Sequence, residues 1–153
     1  MQKDDASFEI SADKGWLDVA MIHDFLSNRS YWAKGVPRAT IERSVENALC
    51  FGVYCGGQQV GFARVVTDFA TIAYLGDVFI LEPHRGKGLG KRLVRAIMDH
   101  PELQGLRLWI LGTQDAHELY RKFGFHKLKE TPLLERFMVI RNPDVSGRGA
   151  GGS

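Results

Sequence analysis

The chain has 153 residues, of which 44% are hydrophobic and 25% are charged, enough for one hydrophobic core and too few for two. Twenty lysines and arginines nearly balance eighteen aspartates and glutamates, so the formal net charge is only +2, which argues against nucleic acid as the main partner. Two cysteines, Cys50 and Cys55, are too few for a disulfide scaffold or a cysteine-rich zinc site.

Neither end of the sequence carries a membrane signal. Residues 1–10 are polar and acidic, and no apolar run is long enough to cross a bilayer, so we expect a cytoplasmic protein that does not contact membranes. We predict one domain over residues 1–143. The glycine- and serine-rich residues 144–153 have nothing to bury and are predicted to form a flexible tail.

The first third of the chain shows helical periodicity. Apolar residues at helical spacing predict an amphipathic helix over residues 14–28 and a second helix over residues 41–49. The loop that joins the two helices carries two large aromatic residues, Tyr31 and Trp32.

The middle of the chain is strand-like. Residues 51–54 and 60–67 flank a short link with two glycines and predict an antiparallel hairpin. After a further turn, residues 71–81 predict a central strand. Gly76 and Asp77 interrupt this apolar run, which indicates a bulge or a functional break.

The last third alternates between helices and strands. The pattern predicts a helix from Gly88 to the residues before His100, a strand over residues 106–111, a helix capped by Asp115 that ends at Gly124, and closing strands over residues 126–129 and 134–140. This order predicts a mixed α/β sheet with helices on its faces. An exposed final strand could pair with a second copy, so we expect a monomer or a homodimer.

A cluster of glycines and cations, residues 85–92, follows the central strand and opens the next helix. Free N–H groups at a helix N-terminus and nearby positive charge make an anion site, for which a diphosphate is a natural ligand. The spacing excludes a Walker loop, because Gly86 and Gly90 enclose three residues rather than four, and a dinucleotide fingerprint, because Gly88 and Gly90 enclose one rather than two. The alternative is an ordinary turn with solvated basic residues.

Two motifs resemble those of the GNAT superfamily of acetyl-CoA-dependent N-acetyltransferases. The first is Arg-x-x-Gly-x-Gly, which begins at Arg85, and the second is Ala-x-x-Leu-Tyr-x-x-x-Gly-Phe over residues 116–125. The element order over residues 8–141 is also similar to that fold. The resemblance implies a mixed, mostly antiparallel twisted sheet with helices on both faces and a splayed central strand pair, and acetyl-CoA as the cofactor.

The same resemblance implies which residues bind the cofactor. The pantetheine arm would pair with Phe79, Ile80 and Leu81, the pyrophosphate would bind at Arg85, Gly86, Lys87, Gly88, Leu89, Gly90 and Lys91, and further contacts would come from Thr113, Ala116 and Tyr120. Many family members carry asparagine at the position of Thr113, so we expect a weaker or reorganised contact there.

Acetyl transfer to an amine needs a neutral amine, a polarised thioester carbonyl and a proton for the departing thiolate. The resemblance implies a backbone N–H near Leu81 for the carbonyl and Tyr120 as general acid. Asp77, a carboxylate within an apolar strand, is the candidate base, directly or through water. The alternatives are a packed core tyrosine and a carboxylate that is satisfied at a bulge or only orients the substrate ammonium.

Four rings, those of Tyr31, Trp32, Phe69 and Tyr74, are predicted to form an aromatic wall around the acceptor, with core packing as the alternative. The leading interpretation is an enzyme that transfers acetyl from acetyl-CoA to a primary amine of a small molecule by direct attack in a ternary complex. A protein or peptide amine acetyltransferase and a non-catalytic acetyl-CoA-binding regulatory domain are the alternatives. The five histidines show no metal-binding spacing, so no metal is expected.

Overall fold

A computed structural model describes residues 7–142; the predicted tail over residues 144–153 lies outside them. The described strands, β1 to β5, are Phe8–Ser11, Leu49–Cys55, Gln58–Thr67, Ile72–Ile80 and Leu108–Leu111. The described α-helices, α1 to α4, are Val19–Asn28, Arg38–Glu46, Leu89–Met98 and His117–Arg121. None of these helices is long and apolar enough to cross a membrane.

The strands form one sheet in the order β1-β2-β3-β4-β5. The first three pairings are antiparallel and the last, between β4 and β5, is parallel. The β2–β3 hairpin turns at Gly56 and Gly57, whose φ angles of 61° and 83° are those that a two-residue turn matching the strand twist requires. The predicted hairpin and the mixed, mostly antiparallel sheet are confirmed.

Apolar clusters lie on both faces of the sheet. On one face α1 and α2 cover Phe62 and Phe79, and on the other α3 packs Leu93 and Ile97 against β2, β3 and β4. Each such side chain, when fully buried, contributes about 1.5–3 kcal/mol of hydrophobic stabilisation. The two clusters hold the sheet between its helices and fix the relative positions of β4, the start of α3 and the loop after β5.

The first helix begins later than predicted, and the second helix begins and ends earlier than predicted. The Asp18 side chain accepts the N–H of Met21 at 3.0 Å, so α1 is capped and starts at Val19, and a short 3-10 turn, Lys14–Trp16, precedes it. The second helix ends at Glu46, and Leu49 opens β2 instead of closing the helix. Apolar spacing cannot distinguish a last helical turn from the first residue of a buried strand.

Two predictions for the last third of the chain are wrong. The N-cap of α4 is Ala116, not Asp115; the N–H of Ala116 donates to Thr113 Oγ1 at 3.0 Å. Residues 126–129 and 134–140 form no strand in the described part of the chain. A 3-10 turn, Leu128–Glu130, replaces the first of these strands, and it is anchored because Arg121 donates two hydrogen bonds to the Glu130 carboxylate.

Candidate active site

The strand pair β4 and β5 separates where the candidate site lies. The parallel ladder joins only Ile72 to Leu75 of β4 with β5, so residues 76–80 extend beyond it with one free edge. We call the opening beside this edge the notch. The notch is the predicted splay of the central strand pair.

The peptide groups at the end of β4 alternate between its two edges. The N–H of Leu81 donates to the Val60 carbonyl at 2.8 Å, so it faces β3 and is not available to a ligand. Alternation along a strand places the N–H and C=O of Ile80 at the notch. The backbone N–H predicted near Leu81 for the thioester carbonyl is therefore that of Ile80.

The cluster of glycines and cations over residues 85–92, here called the glycine loop, lies after the end of β4 and leads directly into α3. Gly86 and Gly88 have φ angles of 80° and 78°, which favour glycine, and a Cβ on either would meet no atom within 4 Å. Gly88 is the N-cap of α3, and the N–H of Arg92 donates to its carbonyl at 3.1 Å. The N–H groups of the three residues between them come before the first helical donor, Arg92, so they have no acceptor within the helix. An anion at this helix start would accept from them.

The cations of the loop differ in how they are held. Arg85 Nε donates to the Ile80 carbonyl at 2.8 Å, which ties the loop to the notch edge of β4. The Lys87 ammonium lies 5.5 Å from the centre of the Phe8 ring, whereas Lys91 is exposed. A ligand that pairs with the Ile80 carbonyl would share this oxygen with the Arg85 guanidinium or displace it.

Tyr120 on α4 is only 7% exposed, with its ring edge-on to Phe125 at 5.9 Å. Its hydroxyl has no hydrogen-bond partner among residues 7–142. Burial, with smaller contributions from the nearby Tyr31 and Asp115, raises the pKa of Tyr120 to about 12. The phenol therefore keeps its proton at neutral pH and is available as a donor. Tyr120 and Thr113 line one end of a cavity of about 710 Å³ that runs along β5.

Asp77 lies at the predicted bulge. The register places Phe62 opposite Phe79 and Arg64 opposite Gly76, so two residues of β4 face one of β3. Asp77 has a φ of 54°, a conformation that aspartate tolerates better than most residues. Strained backbone of this kind concentrates at functional sites.

Both oxygens of the Asp77 carboxylate are held by other side chains. Arg64 Nε donates to Oδ2 and Trp32 Nε1 to Oδ1, each at 2.8 Å. The Asp77 side chain is 11% exposed and that of Arg64 is 19% exposed. Arg64 was missed in the sequence, although a cation in the apolar strand β3 was a signal. These donors support the alternative of a carboxylate that is satisfied at the bulge, although by side chains, and both the orienting role and the base role stay predictions.

The four predicted acceptor-site rings are all exposed, so core packing does not explain them. The Tyr31 and Trp32 rings meet edge to face at 4.9 Å, and Tyr31 Oη accepts the Gln114 N–H at 2.8 Å. The Tyr74 ring covers Gly76, where an added Cβ would lie 2.7 Å from a ring carbon. Trp32 therefore contacts Asp77 directly, Tyr31 contacts Trp32, and the Tyr74 ring lies over the residue before Asp77.

Phe69 lies apart from the other three rings. It precedes β4 in the β3–β4 turn, and the strand from Ile72 to Asp77 alone spans about 17 Å at the usual rise per residue. Its φ of 62° is held by a hydrogen bond from its N–H to Thr67 Oγ1. Its role at the acceptor site stays a prediction.

Thr113 also has a structural role. Its hydroxyl caps the N-terminus of α4 by accepting the Ala116 N–H, and the next residue, Gln114, is bonded to Tyr31. These bonds fix the loop between β5 and α4 next to the loop between α1 and α2. A cofactor contact from Thr113 would have to share its hydroxyl with this cap.

Comparisons with known proteins agree with this geometry. The profile of the acetyltransferase (GNAT) domain matches residues 46–127, which include the notch, the glycine loop and Tyr120. A crystallised Xanthomonas campestris protein assigned to the GNAT acetyltransferases is 45% identical, with a TM-score of 0.86; the match covers 91% of this chain and 96% of that one. A Gibberella zeae protein assigned as an acetyltransferase is 28% identical over 92% of this chain and 90% of its own length.

A crystal structure from Deinococcus radiodurans, also assigned as an acetyltransferase, is 20% identical with a TM-score of 0.72 over 96% of both chains, a likeness of fold alone. The profile match covers more than half of the chain, and the Xanthomonas relative extends the likeness to most of the remainder. The chain belongs to the GNAT family of acetyltransferases.

Proposed function

We propose that this protein transfers the acetyl group of acetyl-CoA to a primary amine of a small molecule, by direct attack while both substrates are bound. The observation that carries the proposal is the arrangement around the notch. The glycine loop lies at the end of β4, and the rings of Tyr31 and Trp32 connect Asp77 to the loop before Tyr120. The expected cytoplasmic location and the expected absence of nucleic-acid and membrane partners stay predictions.

The residues at the notch fit coenzyme A. The N–H groups at the start of α3 suit a diphosphate. The N–H of Ile80, together with a carbonyl that Arg85 also contacts, suits the amides of a pantetheine arm. When bound, acetyl-CoA would supply an activated acetyl thioester. The N–H of Ile80 would donate to a carbonyl oxygen placed in the notch, where a fixed donor stabilises developing negative charge.

The two titratable side chains would divide the proton chemistry. Tyr120, protonated because burial raises its pKa to about 12, would donate a hydrogen bond to the departing sulfur. Asp77, held by Arg64 and Trp32, would present its carboxylate to the incoming ammonium. It would orient the amine and accept its proton, directly or through water.

A small acceptor is favoured over a peptide because the loop between α1 and α2 is tied across the approach to the notch. Trp32 bonds to β4 through Asp77, and Tyr31 bonds to the loop after β5 through Gln114. The loop is thus tied both to β4 and to the segment after β5. An acceptor that needs this loop to open would have to break these bonds.

The test is a thiol-release assay with acetyl-CoA and a panel of amino acids, polyamines, aryl amines, aminoglycosides and peptides. We expect release with one or more of the small amines and little with peptides. Release with peptides alone would favour a protein or peptide acetyltransferase. Tight acetyl-CoA binding without release for any acceptor would favour a regulatory domain.

Gly88→Ala is expected to weaken acetyl-CoA binding about tenfold. The new side chain would strain a φ of 78° by about 1–3 kcal/mol and would project into the open space before the α3 N-terminus. Gly105→Ala is the matched control, because Gly105 has the same φ of 78° with no atom within 4 Å of an added Cβ but lies before β5. Calorimetric titration should show weaker binding for the first variant alone; equal affinities would exclude the glycine loop as the diphosphate site.

A further inference from the structure

Arg64 is a mostly buried cation of which only one N–H group is bonded. Its side chain is 19% exposed, and its one side-chain hydrogen bond within residues 7–142 runs from Nε to Asp77. A guanidinium carries five N–H donors, so the four on the two terminal nitrogens have no acceptor in this part of the chain. Neither terminal nitrogen is both fully buried and unbonded. A ligand can therefore reach these donors.

The Arg64 side chain lies on the face of the sheet that α1 and α2 cover. Arg64 pairs across the sheet with Cys50, whose thiol lies 3.7 Å from the Val45 carbonyl of α2, and paired residues share a face. A cavity of about 650 Å³ is lined by β3, including Arg64, and by one side of α2 over residues 39–47. Arg64 thus connects Asp77 with a cavity between the helix and the sheet.

A second arginine lines the same cavity. Arg43 of α2 makes no ion pair and no side-chain hydrogen bond within residues 7–142. Thr40 and Asn47, about one helical turn before and after it, add a hydroxyl and an amide to the lining. Among the same described residues, no aspartate or glutamate lines the cavity. Its lining is therefore basic and rich in hydrogen-bond donors.

The carboxylates nearest in the fold are accompanied by other cations. Arg38 Nε donates to the Glu42 carboxylate at 3.1 Å, and the Lys14 ammonium donates to the Glu46 carbonyl at 2.8 Å. Asp77 is paired with the other arginine of the cavity. The α2 arginine in the lining is left without a counter-ion in the described part of the chain, so an anion is the ligand that the cavity favours.

An apolar surface joins the cavity to the candidate acceptor site. Val66 lines the cavity and pairs with Tyr74, and the two side chains are 43% and 42% exposed. The Tyr74 ring covers Gly76, the residue before Asp77. A small molecule that rests on this surface would have one end near Asp77 and the other near the cavity.

We propose that the acceptor amine also carries an anionic group, a carboxylate or a phosphate, which Arg43 and Arg64 bind in the cavity. This inference rests on the proposed function, because the amine of the same molecule is the group that would be acetylated beside Asp77. Arginine suits both anions, since its planar guanidinium donates two parallel hydrogen bonds. Asp77 would hold Arg64 through Nε and leave its terminal N–H groups to the anion.

The site selects among the small amines. Amino acids and aminoalkyl phosphates present an ammonium to Asp77 and an anion to the two arginines. A polyamine would instead bring a second cation toward Arg43, which repels it. The expected acceptors are therefore amines with one anionic group.

The test compares pairs of amines that differ only in the anionic group: phenylalanine with phenethylamine, gamma-aminobutyrate with propylamine, and phosphoethanolamine with ethanolamine. Thiol release from acetyl-CoA gives kcat and KM for each. We expect the wild type to favour the anionic member of at least one pair about ten- to hundredfold in kcat/KM, mainly through KM, as for a charged hydrogen bond. The last two pairs, of similar length, show whether the anion is a carboxylate or a phosphate.

Arg43→Gln removes the cation that has no other partner. It should raise KM about tenfold for the anionic member of the favoured pair and by less than about twofold for the other, with kcat unchanged. Comparing the two members within each variant cancels differences in amine pKa. Arg38→Gln is the matched control, because it removes the same charge from α2 at an exposed position outside the cavity lining. Arg43→Lys, which keeps the charge, should recover part of the preference, and circular dichroism checks that each variant is folded.

Calorimetric titration of the same pairs into the protein with coenzyme A present gives Kd without turnover. The preference for the anionic member should appear there too and should be lost in Arg43→Gln. Equal Kd values within every pair would overturn the proposal, as would equal losses in Arg38→Gln and Arg43→Gln. Absence of thiol release, together with an anion preference in binding that depends on Arg43, would contradict the proposed function but support the anion site.

Discussion

Replacing Tyr120 with phenylalanine is expected to lower kcat about 10²- to 10³-fold, the usual contribution of a positioned acid, while the Kd of acetyl-CoA changes by less than about threefold. The variant loses only the hydroxyl. The ring would keep its packing against Phe125, so binding and folding should survive. Rapid-mix thiol release gives kcat, and calorimetric titration gives the affinity.

The pH profile provides a second readout for Tyr120. Burial raises the pKa of Tyr120 to about 12, so the phenol stays protonated until the pH approaches about 12. Deprotonation of Tyr120 should therefore lower turnover only near that pH. The rate should instead rise with pH as the acceptor amine, with a pKa of about 10.4 for an alkylammonium, becomes neutral. If wild-type kcat instead falls as the pH rises toward about 9, and this fall disappears in the phenylalanine variant, the raised pKa of Tyr120 is contradicted.

Tyr54 offers a matched control for Tyr120. It is also buried, with a pKa raised to about 12 mainly by burial, and its hydroxyl has no hydrogen-bond partner in the part of the chain that the structure describes. It packs against Trp16 rather than at the notch. Tyr54→Phe should leave kcat unchanged and should not reduce stability, since it removes an unsatisfied buried hydroxyl. Unchanged turnover in Tyr120→Phe would remove Tyr120 from the mechanism, and equal losses in both variants would indicate a packing effect.

The elements that the sequence predicts well are those with local signals. Two glycines between strand-like runs fix the β2–β3 hairpin, and the glycine loop before an apolar stripe fixes the start of α3. The interruption at Gly76 and Asp77 also marks the bulge. In each case the residue types required by the backbone conformation are adjacent in the sequence.

The features that escape prediction depend on contacts between distant segments. Residues 134–140 have the composition of a strand, but a strand exists only where a partner edge is paired, and strand preference depends on that context. The contact of Arg64 with Asp77 depends on the register across a bulge, which shifts which residues face each other. The tie from Trp32 to Asp77 joins residues 45 positions apart, and neither sequence neighbourhood contains a sign of it.

The sequence therefore predicts which residues belong to the candidate site, but it does not predict how they are placed relative to one another. Motif spacing identified the glycine loop and Tyr120, and an isolated carboxylate in an apolar strand identified Asp77. The N–H of Ile80 could be chosen over that of Leu81 only once the register with β3 was known. The same holds for Thr113, whose capping hydrogen bond gives its hydroxyl a structural role.

The second large effect is expected for Asp77→Asn, which should lower kcat/KM for the acceptor about 10²-fold. Asparagine has nearly the same shape and can still accept from Arg64 or Trp32, but it carries no charge to attract an ammonium or to take its proton. It also leaves the mostly buried Arg64 guanidinium without a counter-ion, so thermal unfolding has to be measured alongside. Asp24→Asn is the control, because Asp24 also pairs with an arginine, Arg29, but at an exposed position on α1.

The pH dependence of Asp77→Asn separates a base from an orienting carboxylate. If Asp77 accepts the proton, the variant should recover activity steeply with pH, because a neutral amine no longer needs the base. If Asp77 only orients the ammonium, the variant and the parent should rise in parallel and differ mainly in KM. Trp32→Phe, which removes one donor to Asp77 and keeps the charge, should then raise KM by less than Asp77→Asn does. A folded Asp77→Asn variant with parental kcat/KM would exclude both roles, since neither tolerates loss of the charge.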